Sequence, residues 1–321
     1  MMAHGQMSFV FIGNPTVGSA VSENLVKAGY RAAINVARAD AVFVYCETQG
    51  GLEDAFFDTD GLIQTARRGA CLITLSATTP SFARELNAVA LVNDLHSIEA
   101  PLLVHDVTLP DAFSDPANLS CFLAGEEEGV EKAAPLLRAL ASTVTSAGSP
   151  GSAQTARAAL TIQTASQFVA CMEIEALYKV SSTSSKQVID FALGQGFIPE
   201  TTRHLVEAVK DENFKGSYTI EMCMAEMTAA LMAADDSDLI LPGAEACMHL
   251  LELLALIGGG MLTPAALSLV YGEEALCAKH GLDWTRAEQT YSEEQYDDYD
   301  DDAYGHGHEE FTGGFGGYSS N

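Results

Sequence analysis

The sequence is short of cations. It has 16 lysine and arginine residues against 44 aspartate and glutamate residues, so its formal net charge is −28 at pH 7. Nucleic acids and anionic membrane surfaces carry negative charge themselves and repel such a protein. The charge balance therefore argues against both as partners.

Paired cysteines and long apolar runs are also missing. The seven cysteines are scattered without a C-x-x-C pair, and most stand in apolar runs, as expected of buried free thiols in a cytosolic protein. The apolar segment 250–257 is too short to span a bilayer. Residues 1–6 lack the basic and apolar regions of a secretory signal. These features predict a cytoplasmic protein with no membrane partner.

The chain has 321 residues, of which 48% are hydrophobic, and this length suggests two domains. Residues 1–148 alternate buried strands with helices, which is typical of a parallel, doubly wound sheet. Strands are predicted at 7–12, 41–46, 71–75, 102–104, 120–124 and 143–146, and helices at 16–28, 81–89 and 129–141.

A cluster of glycine, serine and proline at 147–151 marks a boundary, after which the pattern is helical. Residues 149–290 are predicted to form an all-α domain, with helices at 152–179, 185–195, 201–210, 219–234, 244–257 and 264–279. Residues 291–321 are acidic and rich in glycine and tyrosine, so we expect a disordered tail. We predict no metal site, because His306 and His308 in such a tail make at best a weak one.

The opening segment predicts a strand, a tight turn and the start of a helix. Gly13 and Gly18 occupy the first and third positions of a G-x-G-x-x-G dinucleotide-binding pattern, but Pro15 occupies the second. Proline has no N–H to donate, and its ring fills space that a pyrophosphate needs. It is tolerated at the first position of a helix. Proline at this position is therefore compatible with the start of the helix but unfavourable for binding of a pyrophosphate.

Further motifs follow in order along the chain. Six segments look like family motifs without matching every position: 11–18 (F-I-G-L-G-x-M-G), 24–30 (N-L-x-K-A-G-H), 39–42 (A-D-V-V), 60–63 (D-G-L-L), 69–80 (G-x-L-V-V-D-x-S-T-V-S-P) and 154–157 (Q-x-A-K). With these landmarks the chain resembles the β-hydroxyacid dehydrogenases, which include 3-hydroxyisobutyrate dehydrogenase and the 6-phosphogluconate dehydrogenases. The resemblance covers about residues 7–284. It implies a Rossmann-like domain, an all-α domain and an NAD(P)-linked oxidoreductase.

The positions that carry the family's chemistry are changed. The resemblance places its catalytic lysine on Arg157 and its asparagine on Thr161, and places Ser76 with Gly13, Pro15 and Gly18 among the cofactor-binding positions. An arginine stays protonated at ordinary pH, so Arg157 cannot act as the base.

Other family positions are changed as well. A second family lysine falls on Ala225, with Glu226 at the neighbouring aspartate position. The family's substrate loop falls on residues 105–111, where no serine-glycine-glycine remains. There His105 and Asp106 form either an acid/base pair or a hydrogen-bonded loop.

A segment is also missing. Between the N-L-x-K-A-G-H and A-D-V-V landmarks the family has a strand, a helix and a short strand, whereas this chain has only residues 31–38. The adenosine-binding strand and helix are therefore expected to be absent, with at most a stub in their place. In a rival register, residues 41–46 are the second strand and Glu47 is the ribose ligand.

Three functions remain open at this point. The favoured one is a degenerate family member without hydride transfer, which serves as a binding or partner subunit and needs no cofactor. The second is a divergent oxidoreductase that uses NAD or NADP. The third is a sensor that holds an anionic small molecule near Arg157. The resemblance also implies a homodimer through the α-domain, or a complex with a paralogue.

Overall fold

The computed structural model describes residues 7–180, 187, 191, 194–195 and 200–289. Most of the predicted helix at 185–195 and the whole predicted tail at 291–321 lie outside the described residues. None of the described helices is long and apolar enough to cross a membrane.

The N-terminal domain is built on an eight-stranded sheet with the order β2-β1-β3-β4-β5-β7-β6, and β8 pairs with β7. The strands are β1 (Ser8–Gly13), β2 (Arg31–Ala32), β3 (Ala41–Tyr45), β4 (Cys71–Thr74), β5 (His96–Glu99), β6 (Leu102–Val104), β7 (Leu119–Gly125) and β8 (Thr143–Gly148). The strands from β2 to β5 run parallel, as predicted.

β7 departs from the predicted parallel pattern, because it runs antiparallel to both β5 and β6. Its pairing with the two strands keeps one register, from Ile98 opposite Gly125 to Val104 opposite Leu119. β5 and β6 are thus one strand interrupted at Pro101, which has no N–H for the ladder. The segment between β6 and β7 holds only a short 3₁₀ turn, so it returns as a hairpin rather than as a helical crossover.

The helices of this domain are α1 (Pro15–Lys27), α2 (Gln49–Phe57), α3 (Leu62–Thr65), α4 (Pro80–Val92) and α5 (Glu127–Leu137). β3 is buried along its whole length. Its alternate side chains enter separate cores, Phe43 on one face and Val42 and Val44 on the other. Both faces of the sheet are therefore covered, as expected of a parallel sheet.

The predicted deletion is confirmed. Between α1 and β3 the chain forms only the two-residue β2 and a 3₁₀ turn at Val36–Arg38. β2 pairs with Ser8 and Phe9 on one side of β1, while β3 pairs with β1 on the other. β3 thus stands where the dinucleotide-binding fold has its fourth strand. The rival register is wrong, and Glu47 does not end a second strand.

The C-terminal domain is helical, as predicted. Its helices are α6 (Ser152–Val180), α7 (Glu200–Lys210), α8 (Ile220–Asp235), α9 (Pro242–Leu254) and α10 (Glu274–Lys279). The single helix predicted at 264–279 is wrong: a 3₁₀ segment, Pro264–Leu269, and α10 are separated by a turn that contains Gly272. Glycine there weakens a continuous helix.

One carboxylate joins the two domains. Glu99, at the end of β5, is 4% exposed. It accepts hydrogen bonds from the backbone N–H of Gly151 at 2.5 Å and of Gln154 at 3.2 Å, in the first turn of α6. Burial raises the pKa of Glu99, and these backbone donors offset part of that shift. The start of the interdomain helix is thereby fixed to the centre of the sheet.

Gly13 and Gly29 both have positive φ, so substitutions at the two positions can distinguish the cost of a steric clash from the cost of backbone strain. Gly13 has φ +111°, and a Cβ there would lie 2.0 Å from the Tyr45 carbonyl oxygen, whereas Gly29 has φ +94° and open space around it. We expect Gly29→Ala to lower the free energy of unfolding by about 1–2 kcal/mol through strain alone. Gly13→Ala should cost about 1–3 kcal/mol more, because β3 must move. Urea denaturation of both variants measures the difference, and equal losses would contradict the clash.

Candidate functional site

In the turn between β1 and α1, the backbone N–H groups donate hydrogen bonds to acceptors within the chain. Asn14 is the N-cap, and its Oδ1 accepts from the backbone N–H of Thr16 at 2.9 Å and of Val17 at 3.1 Å. Pro15 takes the first helical position, as predicted, and has no N–H. The Gly18 N–H donates to the Asn14 carbonyl at 2.9 Å. The donors that usually hold an anion at a helix start are all engaged or absent.

A negative charge lies at the same point. Glu47 follows β3, and Asn14 Nδ2 donates to its Oε1 at 2.5 Å. A carboxylate is favourable near a helix N-terminus because of the helix dipole. Glu47 therefore puts a negative charge beside the start of α1.

The other predicted cofactor positions have structural contacts of their own. A Cβ on Gly18 would lie 2.5 Å from the Phe11 ring, so glycine permits the close packing of α1 on β1. Ser76 is buried, and its hydroxyl accepts from the Cys46 N–H at 2.8 Å and donates to the Cys46 carbonyl at 2.9 Å. Ser76 therefore ties the carboxyl ends of β3 and β4 together.

Arg157 lies on α6, one helical turn before Thr161, and is 5% exposed. Its Nε donates to the Leu102 carbonyl at 3.1 Å, and its Nη1 donates to Thr161 Oγ1 at 2.6 Å. Its Nη2 forms an ion pair with Glu226 of α8. The two residues at the family's lysine and asparagine positions are thus in contact with each other, and a carboxylate of the same chain neutralises the cation.

Phenol and thiol groups surround this ion pair. The Tyr218 hydroxyl donates to Glu226 Oε2 at 2.6 Å. Burial, with the nearby Glu226 charge, raises the pKa of Tyr45 and of Tyr218 well above the usual range and that of Cys223 to about 12. Burial alone would lower the pKa of Arg157, but Glu226 outweighs it and the net shift is upward. None of these groups exchanges a proton near neutral pH.

The segment at 105–111 behaves as a loop. Asp106 Oδ1 accepts from the backbone N–H of Thr108 at 2.9 Å and from its hydroxyl at 2.6 Å. Its Oδ2 lies 3.3 Å from Nδ1 of His204 on α7, a partner that sequence reasoning missed. His105 is exposed. The His105–Asp106 pair has the contacts of a hydrogen-bonded loop.

A cleft of about 370 Å³ lies between the carboxyl ends of β3 and β4 and the helix α8. Its lining residues are Glu47, Thr48, Gln49 and Ala77 from the first domain, Glu221, Met224, Ala225, Thr228, Ala229 and Met232 from α8, and Met248 from α9. Arg157 instead borders a void of about 40 Å³ on the other side of α8. Arg157 and Thr161 therefore lie outside the cleft, whereas Ala225, at the second changed lysine position, lines it. Glu221 and the methionines belong to no motif, so only the fold could reveal them.

In the described ranges, no group of three histidine, cysteine or acidic residues is placed to hold a metal ion.

Comparison with known proteins finds similarity to dehydrogenases and reductases. The family model for the NAD binding domain of 6-phosphogluconate dehydrogenase matches residues 9–148. The chain is 24% identical over 294 residues to 2-hydroxy-3-oxopropionate reductase of Escherichia coli, with 81% of this chain and 96% of that protein covered. It is 27% identical over 176 residues to NAD-dependent L-serine dehydrogenase of Pseudomonas aeruginosa, with 47% and 57% covered.

Solved structures agree with the fold. The 3-hydroxyisobutyrate dehydrogenase of Mycobacterium tuberculosis, determined with L-serine, has a TM-score of 0.70 at 18% identity, with 84% of this chain and all of that chain covered. The enzyme of the same name from Salmonella typhimurium has a TM-score of 0.70 at 16% identity, with 82% and 99% covered. The predicted fold, a Rossmann-like domain followed by a helical one, is confirmed.

The buried ion pair is testable by a double-mutant cycle. Arg157→Met leaves Glu226 charged and unpaired in the interior, so we expect a loss of about 3–5 kcal/mol in the free energy of unfolding. Adding Glu226→Leu removes the stranded charge, and the double variant should be clearly more stable than the sum of the single losses predicts. Urea denaturation of the four proteins gives the coupling energy.

The exposed pair Glu23–Lys27, with a 2.9 Å contact on α1, is the matched control. Its coupling should stay below about 1 kcal/mol. Additive losses at Arg157 and Glu226 would show that the buried contact does not couple them.

Proposed function

We propose that the chain is a member of the β-hydroxyacid dehydrogenase family that lacks hydride transfer and acts as a binding or partner subunit. The observation that carries this proposal is the ion pair between Arg157 and Glu226 at the family's lysine position. Hydride transfer to a nicotinamide needs a group that takes the proton of the substrate hydroxyl. A guanidinium paired with a buried carboxylate supplies no such base.

The dinucleotide-binding residues do not fit their ligand. A pyrophosphate would meet the Glu47 carboxylate, and the Thr16 and Val17 N–H groups already donate to Asn14. Pro15 contributes no donor, and the two-residue β2 ends where a ribose-binding strand would stand. We therefore propose that the chain functions without a nicotinamide cofactor.

The second candidate is a divergent oxidoreductase that uses NAD or NADP. It is favoured by the matched family model, which describes an NAD binding domain, and by a cleft at the carboxyl ends of the parallel strands, where such sheets bind ligands. The sensor with an anion near Arg157 has less support, because Glu226 already balances that charge.

We also propose that copies of the chain, or the chain and a paralogue, associate through the α-domain. On α6, Ile174 and Leu177 are 40% and 65% exposed one turn apart, as expected of an interface. A cytoplasmic location fits the seven free cysteines, six of them buried.

A nucleotide titration separates the two candidates. Each lost charge-assisted hydrogen bond weakens binding by about 1.5–3 kcal/mol, so two such losses amount to roughly a hundredfold or more. We expect NADH and NADPH to show no saturable fluorescence change at micromolar concentration. The L-serine dehydrogenase of Pseudomonas aeruginosa, titrated with the same nucleotides, is the positive control. A dissociation constant in the low micromolar range for either nucleotide would favour the oxidoreductase.

The variant Arg157→Lys tests whether one substitution removed the activity. A general base contributes about 10²–10⁴-fold only where substrate and cofactor are already positioned. The positions at Thr161, Ala225 and Pro15 stay changed in this variant, and residues that act as a unit are not repaired singly. We expect no NAD(P)H formation above wild type with a panel of 3-hydroxy acids. Clear turnover would show that both sites survive.

A further inference from the structure

We propose that the interdomain cleft binds a small organic cation, an amine with an apolar body. The inference deepens the proposed function, on which it rests, by assigning a ligand class to the cleft. Four observations carry it: the size of the cleft, the sign of its charges, the open hydrogen-bond acceptor positions on its carboxylates, and its wall of methionine and alanine side chains.

The cleft has the size of a ligand site. Its volume of about 370 Å³ falls in the range of small-molecule pockets. It lies at the carboxyl ends of the parallel strands β3 and β4, the edge at which open α/β sheets bind ligands.

All formal charge on its lining is negative. Glu47 enters from the end of β3 and Glu221 from the first turn of α8, and among the described residues no lysine, arginine or histidine lines the cleft. Arg157 does not line the cleft, and its charge is paired with that of Glu226 behind α8. The net charge of −28 adds to the negative potential. An anion is repelled from this cleft and a cation is attracted.

The two carboxylates of the cleft have acceptor positions that the described residues leave open. Asn14 holds Glu47 through Oε1 only, which orients the carboxylate. The side chain of Glu221 has no hydrogen-bond partner in the described part of the chain, and its Oε1 lies beside Gly260. Gln49, in contrast, accepts from Thr78 at 2.5 Å and donates to Glu53 at 3.1 Å. These open acceptor positions on two carboxylates favour a ligand donor that carries positive charge.

The remaining wall is apolar and adaptable. Met224, Met232 and Met248 cover the α-domain side together with Ala225 and Ala229. Methionine side chains are unbranched and polarizable, so they adapt to apolar groups of different shape. The ammonium group of a ligand is expected near Glu47 and its apolar body against these methionines.

The test compares three probes of similar shape, benzylamine, benzyl alcohol and benzoate, by titration calorimetry on the full chain. We expect benzylamine to bind at least about tenfold more tightly than benzyl alcohol, and benzoate to give no heat of binding. Raised salt should weaken only the amine. Equal affinities for amine and alcohol, a preference for benzoate, or no amine binding at millimolar concentration would overturn the proposal.

Two substitutions locate the site. Glu47→Gln should weaken benzylamine about tenfold, since it removes a half-buried charge-assisted contact, and Glu221→Gln about threefold, since Glu221 is exposed. Neither should change benzyl alcohol binding. The exposed Glu85→Gln on α4 is the matched control and should leave the amine affinity unchanged. Equal weakening in all three variants would show a non-specific charge effect and overturn the assignment.

NADH titrated under the same conditions keeps the two proposals distinguishable. Micromolar NADH binding would overturn the function without cofactor, whatever the amine does. Absence of both NADH and benzylamine binding would overturn the ligand class alone. Amine binding without NADH binding supports both.

Discussion

The two domains depend on one contact, the buried Glu99 carboxylate at the start of α6. Gly151 and Gln154 donate backbone N–H groups to it, and the Gln154 side chain in turn donates to the Ser76 carbonyl at 3.1 Å and accepts from the Thr78 N–H at 3.0 Å. A buried carboxylate is costly unless donors surround it, and a helix start offers donors that otherwise lack partners. The carboxylate thus gains donors, and the N–H groups at the helix start gain an acceptor. The position of α6 decides where Arg157 lies and how α8 faces the strand ends.

If the chain lacks hydride transfer, as proposed above, its site keeps the fold and replaces the chemistry. A lysine at the position of Arg157 would be a small cation able to lose its proton. The guanidinium is larger, permanently charged and in need of several acceptors. In this chain it finds them in Leu102, Thr161 and Glu226, and the result is a packed polar cluster. At the start of α1, Asn14 and Glu47 occupy the anion-binding end of that helix. On that proposal, both changes put a contact inside the chain where a ligand contact would otherwise stand.

Much of the fold could be predicted from sequence spacing. The eight residues between two landmarks left room for no more than the stub β2, and Pro15 fits the first helical position. Other features depended on contacts between distant residues. The strand β5 was missed because Pro101 divides it from β6, and the antiparallel return of β7 follows from a connection without a helix. The partner of Arg157 could not be predicted, since nothing in the sequence brings α6 and α8 together at Glu226. The same holds for the cleft, whose walls come from both domains.

The interruption at Pro101 divides one strand into two points of attachment for α6. Glu99, before it, holds the first turn of the helix, and the carbonyl of Leu102, after it, accepts from Arg157 in the second. Two attachments along one strand prevent α6 from turning about its own axis. The helix α8 packs on α6, so the same two attachments also set the position of α8 opposite the strand ends.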